Sequence, residues 1–572
     1  MQTDENRNLL ITIILCIVIF FSWSYFFPSA PLPPQEATDV ASSSVTGSIP
    51  LDAPQNIAAT TLPREEALSQ SSSRITIETP SLKGSINLVG GRLDDIMLVK
   101  YQETTDPDSP SIHLLSPAGS SSPYYADIGW GVVGSDISLP NEQTVWHTDS
   151  SSLTPQNPVL LTWNNGQGLV FERQISVDDN YVFKMTQRVR NTGTASVSLY
   201  PYALISRHGK PDTEDFFILH EGMTGYLNGS LEEVKYADLV DSPTQTFDTK
   251  GGWLGITDKY WLVALVPDQN LTAKASYRYK NQGPGIYQTD LVGTPQQIQP
   301  KDVYENTVHL FAGAKVLSML DQYETQLGVT HFDLAVDLGW FPYITKPIFL
   351  FLTNTAKWCG NLGIAILILT LLFKLLFFPI ANKQYRAMAR MKDIQPKIKK
   401  LQERFSDDKM RMNQEMMELY KREKVNPVSG CLPMLLQIPV FFALYKVLFV
   451  TLEMRHAPFY GWIHDLSSPD PTNIFTLFGL IPWDPPSMMM LGLLPIIMGI
   501  TMFAQQKLNP APADPAQAKV FMILPLVFTF VLARFPAGLV IYWTWNNILT
   551  ILQQYAIMRL SGTKIPKSAN KK

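Results

Sequence analysis

The sequence predicts a polytopic α-helical membrane protein carrying a large all-β domain outside the membrane, and three observations predict it. Only 17% of the 572 residues are charged, against about 25% in a soluble chain, so charge must be missing from particular stretches. Those stretches are long apolar runs, one near the N-terminus and the rest beyond residue 350. Between them lies a region of period-two alternation punctuated by turn residues. A net charge of −4 leaves no chain-wide basic surface, which excludes a general nucleic-acid binder. Cys16, Cys359 and Cys431 share no CxxC spacing, so neither a disulfide framework nor a zinc site is expected.

After a short N-terminus (1–8), Leu9 to Phe27 reads LLITIILCIVIFFSWSYFF. This matches the roughly 20 apolar residues that cross a bilayer core of about 30 Å. A cleaved signal peptide is the rival reading, but its apolar core is usually about 7–15 residues and a small-residue cleavage site follows it. An uncleaved anchor is expected, with Cys16 as an apolar filler. Residues 28–73 are rich in Pro, Ser, Ala and Thr and poor in large apolar side chains, which predicts a flexible tether. From Arg74 the pattern turns to alternation, as in Arg74-Ile75-Thr76-Ile77-Glu78, with Gly90-Gly91, Asn164-Asn165-Gly166 and Asn191-Thr192-Gly193 as turns. Residues 74–330 therefore read as one β-sandwich.

An aromatic stretch around Trp340-Phe341-Pro342-Tyr343 suits a helix in the interface, over 331–350. Five spans follow, at 351–380, 431–450, 487–504, 520–535 and 536–558. The apolar heart of the fourth, 520–533, covers only about 21 Å at 1.5 Å per residue, so that span must extend into its flanks or meet a thinned bilayer. With the anchor the count is six, which puts both termini on one side. Residues 381–426 hold thirteen Lys or Arg against seven Asp or Glu, and positive charge marks the cytoplasmic face. The tail 559–572, with Lys564, Lys567, Lys571 and Lys572, and the loop 505–519 agree. The β domain and the loop 451–486 then lie outside, in the periplasm of a bacterium.

The basic segment 381–430 has apolar residues at helical spacing, including Met388, Met391, Ile394, Ile398, Met412 and Met416, broken at Ser406-Asp407-Asp408. Two antiparallel amphipathic helices are expected, with Pro396 kinking the first or starting a new one. A self-packed hairpin is one reading. Methionine-rich faces also suit a varied apolar partner such as a nascent chain or ribosome.

Polar groups inside the spans carry the functional hint. Thr370 and Lys374 share one helical face, Gln437 lies in the next span, and Tyr542, Asn546 and Asn547 lie in the last. Such groups are costly in hydrocarbon and should face a protein interior or a wet cavity. Lys374 is about 9 Å along the axis from Ile380, so snorkelling to the interface is a rival account. The late spans contain no Asp, Glu or His, which argues against ion coupling, and they lack the Asp pair, Ser/His pair or HExxH of an intramembrane protease. GxxxxGK[ST] is absent too. What remains is a cationic, amide-rich groove suited to a polar or acidic segment crossing the membrane, with no cofactor or metal.

Several motifs occur in one order: Asn6-Arg7-Asn8-Leu9-Leu10, Glu415-Met416-Met417 with Lys424-Val425-Asn426-Pro427, Gly430-Cys431-Leu432-Pro433 with Gln437-Ile438-Pro439, and Phe535-Pro536-Ala537-Gly538-Leu539. Together they resemble the YidC/Oxa1/Alb3 family of membrane protein insertases, in its Gram-negative form. The resemblance implies a five-helix insertase core, a periplasmic β-supersandwich, and a non-enzymatic chaperone role. Its partners would be nascent membrane proteins, the Sec translocon, lipids and, through the hairpin and tail, the ribosome. It also implies a groove whose positive residue, often Arg, is here Lys374, which keeps the charge but loses the planar fork. Thr370 matches a groove threonine, Phe441 a substrate-contacting aromatic, and Tyr542-Trp543 a Tyr-Tyr pair lacking its second hydroxyl. A polytopic transporter with a periplasmic binding domain is the alternative, although no internal repeat supports it.

Overall fold

Period-two burial lays down the first half of the ordered chain. Strand 169–177 alternates buried and half-buried residues without a break, the signature of a strand with one face on a core. The computed structural model describes residues 62–70, 73–134, 137–213, 219–339, 342–405, 408–423, 432–478, 480–483, 485–486, 490–509 and 515–560. The expected anchor at 9–27 and the tail beyond 560 lie outside the described residues.

The strands form an eleven-stranded and an eight-stranded sheet. The larger runs in the order 244–250, 272–280, 286–293, 197–208, 124–132, 93–102, 82–87, 74–78 and 152–153, with strands 296–298 and 111–115 attached at its side. The smaller runs 230–235, 222–227, 253–257, 261–267, 303–314, 182–191, 169–177 and 159–164. Leu199, Ala203, Ile205 and Leu291 of the first share one core with Phe171, Phe183, Val263, Leu265 and Phe311 of the second. Burying such faces, at roughly 25 cal/mol per Å², is what holds two sheets together. A buried arginine adds specificity: Arg173 donates to the Gly90 and Gly91 carbonyls at 3.1 Å each and lies over the Trp146 ring.

The tether departs from expectation at its end. Helix α1 (Arg64–Gln70) is part of the β domain, because Arg64 pairs with Asp95, Ala67 is buried, and Leu62 exchanges backbone hydrogen bonds with Gly119 and Ser121. The Ser-rich stretch around it hides this in composition. A short helix α2 (Tyr236–Asp241) and helix α3 (Leu317–Leu327) complete the domain.

The rest is helical. Helix α4 (Pro342–Cys359) and α5 (Leu362–Leu376) divide the region read as an interfacial helix followed by a span. The boundary falls at Gly360 rather than near residue 350: Gly360 takes φ +72°, and Asn361 caps α5 by accepting from the Ile364 amide. Then come α6 (Phe378–Arg404), α7 (Lys409–Arg422), α8 (Leu432–Val450), α9 (Leu493–Leu508), α10 (Pro515–Leu532) and α11 (Ala537–Leu560). Helix α10 begins at Pro515, five residues before the apolar heart of the segment expected as the fourth late span. Helix α6 runs through Pro396, since no new helix begins there.

Among the described residues no single helix is both long and apolar enough to cross a membrane alone; α5 and α6 pass only as a pair bent by 67°. The cause is chemical as much as geometric. Helix α11 is long enough, at 24 residues or about 36 Å, but Asn546, Asn547, Gln553 and Gln554 dilute its hydropathy. Helices α5 and α9 are apolar but hold 15 and 16 residues.

The β domain is locked to the helices. Lys446 of α8 pairs with Asp337 at 2.6 Å, Lys346 of α4 bridges Asp321 and Asp333 at 3.0 Å each, and Arg455 donates to the Gln102 and Glu103 carbonyls.

Candidate functional site: a polar cavity among the helices

The site begins with a bend. Pro379 sits at the start of α6 and Phe377 leaves helical geometry at φ −89°, ψ 4°, so α6 swings away from α5. The space between them, closed on the other side by α8 and α11, is a cavity continuous in part with the exterior. Phe373 and Phe377, stacked at 6.2 Å, and Tyr385 form its apolar wall.

Its polar wall comes from three helices. On α5, Thr370 and Lys374 lie one turn apart. The buried Thr370 hydroxyl donates to the Ile366 carbonyl of its own helix at 2.7 Å. The Lys374 ammonium donates to Thr550 Oγ1 at 2.7 Å. A neutral acceptor leaves the positive charge uncancelled, so a half-buried cation faces the cavity. On α8, Gln437 donates through its side-chain amide to the buried Tyr542 hydroxyl of α11. Asn546 and Gln553 continue along the same face of α11.

The structure thus brings Lys374, Thr370, Gln437, Tyr542 and Asn546 together around one cavity. It places Phe441 and Trp543 elsewhere. They pack edge-on at 4.9 Å in an aromatic cluster with Tyr445 and Phe528, which stiffens the contact between α8, α10 and α11. Asn547 also faces away, donating to Thr501 Oγ1 of α9 at 3.2 Å; one residue on a helix is a rotation of about 100°. Sequence reasoning missed Thr550, Gln553 and Tyr385. The first two carried a signal: Tyr542, Asn546, Thr550 and Gln553 are spaced at 4, 4 and 3, a polar stripe on an otherwise apolar helix.

The hairpin forms as two helices meeting through Ile394, Ile398 and Leu419, with Met391 and Met416 packed against them. Asp408 caps α7 by accepting from the Arg411 amide, and Lys397 pairs with Glu423 at 2.8 Å. Met388 accepts from Gln384 within its own helix, and Met412 is half-buried outside that cluster. Met410 and Met417, not singled out from the sequence, are the exposed methionines of α7. Among the described residues no group of three or more His, Cys, Asp or Glu could hold a metal.

A partly open cavity with a cation hydrogen-bonded to a neutral hydroxyl, amide and hydroxyl groups and an aromatic wall offers positive charge and hydrogen-bond partners to an extended polar segment. Comparisons with known proteins bear on this. The family described as 60Kd inner membrane protein matches residues 354–564, and the YidC periplasmic domain matches 74–351. Membrane protein insertase YidC of Methylobacterium nodulans is 48% identical over 98% of this chain and 96% of its own. The protein of the same name from Bradyrhizobium diazoefficiens is 48% identical over 99% and 98%. A crystal structure of an active YidC insertase covers 85% of this chain and 93% of its own at 15% identity, with a TM-score of 0.36, too low to carry an argument.

Proposed function

The chain belongs to the YidC family of membrane protein insertases, and from that premise we propose that it inserts substrates by drawing their polar segments into the cavity beside Lys374. It is an inner-membrane insertase with a periplasmic β-sandwich domain and a helical C-terminal region, and its substrates are newly made membrane proteins. The transporter alternative loses its ground against full-length relatives of this identity.

The carrying observation is the Lys374 ammonium, hydrogen-bonded to neutral Thr550 in a cavity that is partly open. An acidic or polar tail leaving the cytoplasm loses water at a cost of roughly 2–7 kcal/mol for each unpaired polar group. Gln437, Tyr542, Asn546 and Gln553 offer replacement partners, and Lys374 offers attraction. The apolar segment that follows leaves sideways into lipid, driven by burial of its surface. No nucleotide or metal enters this account. The topology that serves it has six spans, both termini and the hairpin in the cytoplasm, and the 451–486 loop in the periplasm; the positive-charge surplus in 381–426 supports it. The exposed Met410 and Met417 and the basic tail suit a ribosome or nascent chain, and the β domain suits the Sec translocon. Photocrosslinking from position 370 and position 441 to a stalled nascent chain tests the path: adducts from 370 are expected to precede those from 441, and none from 370 would overturn it.

A further inference from the structure

The connection between α8 and α9 caps one end of the bundle. Leu466 and Ser468 accept from the Gly538 and Ala537 amides at the start of α11, and Asn361 at the start of α5 donates to the Pro458 carbonyl. Gly363 permits the approach, because a Cβ there would sit 2.1 Å from the Phe459 ring. Helices α5, α9 and α11 begin at this end and α8 finishes there, whereas Lys374 sits in the last turn of α5. The connection and the cationic side of the cavity therefore occupy opposite ends.

Its base is rigid. The Asp470 carboxylate accepts from the Trp462 indole N–H at 3.1 Å, from the Thr472 amide and hydroxyl at 2.9 and 2.7 Å, and from the Leu494 amide at 2.7 Å. Thr472 Oγ1 accepts from the Leu493 amide at 2.9 Å, so the loop supplies the cap of α9. The tip is different in character. Between 473 and 490 the only charged residue is Asp484. Leu480 is 83% exposed, Phe478 57% and Leu477 53%, with Ile481 and Trp483 also exposed. Leu477 and Phe478 take φ of +48° and +60°, the left-handed region that large apolar residues avoid. The Phe478 amide on the Asn473 carbonyl and the Ile481 amide on the Thr476 carbonyl, both at 3.0 Å, hold that shape. Strained backbone that turns apolar side chains outward on a pinned base needs a covering phase.

We propose that the tip formed by residues 475–478 and 480–483 is a lipid anchor, seated among the acyl chains of the outer leaflet. Lipid is the occupant because the tip is continuous with helix ends that leave the hydrocarbon, is nearly free of charge, and is flanked by exposed Tyr460 and Trp462, the side chains that settle at membrane interfaces. The anchor fixes the depth at which the capped end of the bundle sits. It rests on the topology proposed above for the membrane placement of α8 and α9 and for the leaflet it names, and its test reads depth, so it can fail while the insertase reading stands.

The test uses the full chain in phospholipid vesicles, with Cys16, Cys359 and Cys431 replaced by Ala and Leu480→Cys carrying an environment-sensitive fluorophore. A matched Val303→Cys label on the exposed β-domain surface is the control. The label at 480 is expected to emit blue-shifted, to be quenched by acyl-chain doxyl lipids, and to resist iodide, while the label at 303 does the reverse. Adding Leu477→Asp is expected to diminish the lipid quenching. Independently, Trp483→Phe in the otherwise natural chain should lower the share of tryptophan emission quenched by brominated lipid. Iodide access at 480 without lipid quenching overturns the anchor, as does shielding that arises only when a protein substrate is added.

Discussion

Lys374→Glu separates a working charge from a snorkelling one. Lys374 lies in the last turn of α5, where a cation is favoured by about 0.3–1 kcal/mol, so reversal costs the fold about that much plus a little repulsion. The Thr550 hydroxyl that now accepts from the ammonium already donates to the Asn546 carbonyl at 2.6 Å, so it must release that backbone bond to donate to the new carboxylate. The substrate feels far more. A tail carboxylate one water layer away, at about 6 Å, is attracted by about 3 kcal/mol at an effective dielectric near 20, and reversal swings this by about 6 kcal/mol. In a wetter cavity, with a dielectric near 40, the swing is about 3 kcal/mol. Residence of an acidic tail should fall by about 10²- to 10⁴-fold. The assay is protease protection of a substrate tail translocated into vesicles containing purified protein, run with an acidic tail and with its Asn/Gln counterpart. Lys374→Glu should block the acidic tail and largely spare the neutral one, and Lys374→Arg should act on both like the natural protein. Equal effects on the two tails, or none, would refute the argument, since a lysine that merely snorkels has no reason to read substrate charge.

Other outcomes follow from the same geometry. Thr550→Val removes the acceptor that orients Lys374, a loss of about 0.5–1.5 kcal/mol, and insertion of the acidic tail should drop by about 2- to 10-fold while staying above that of Lys374→Glu. In the β domain His220 is buried, its Nε2–H donating to the Met223 carbonyl, and burial holds its pKa at about 4. Unfolded, it titrates near 6.5. Its stabilising contribution is therefore present above pH 6.5 and lost as pH falls through about 4, a difference of about 3 kcal/mol. Urea midpoints of the full chain in detergent should fall between pH 7.5 and 4.5, and less so in His220→Asn; identical slopes would remove His220 as a cause. Leu419→Ala empties the hairpin contact with Ile394 and Ile398, at about 2 kcal/mol. Amide exchange should quicken across α6 and α7 and stay unchanged in the β strands.

Much of the site was legible because polar residues inside long apolar runs are rare. Lys374 with Thr370, Gln437, and Tyr542 with Asn546 each break an apolar run, and water-avoiding sequence makes such breaks informative. What periodicity could not supply is which neighbour meets which. Phe441 follows Gln437 by one turn, yet it faces Trp543 rather than the cavity. Asn547 adjoins Asn546 and turns to α9. Tyr385 lies at the head of the basic helical segment yet lines the cavity, because the bend at Phe377 and Pro379 brings the first turns of α6 beside α5. The docked helix Arg64–Gln70 was hidden because its anchor, Asp95, lies 31 residues away.

By itself the sequence determined the division of the chain: alternation for the β-sandwich, and apolar runs around a Lys- and Arg-rich segment for the helical region. These follow from composition and local period, which need no partner. Tertiary structure alone decided that the Lys374 charge meets a neutral hydroxyl 176 residues away. It also decided that α5, α6, α8 and α11 leave a cavity between them and that the α8–α9 connection pins a bare apolar tip at the opposite end. Those features depend on how helices bend and cross, set by packing among residues distant in sequence, and no local pattern encodes a contact between two surfaces that have yet to meet.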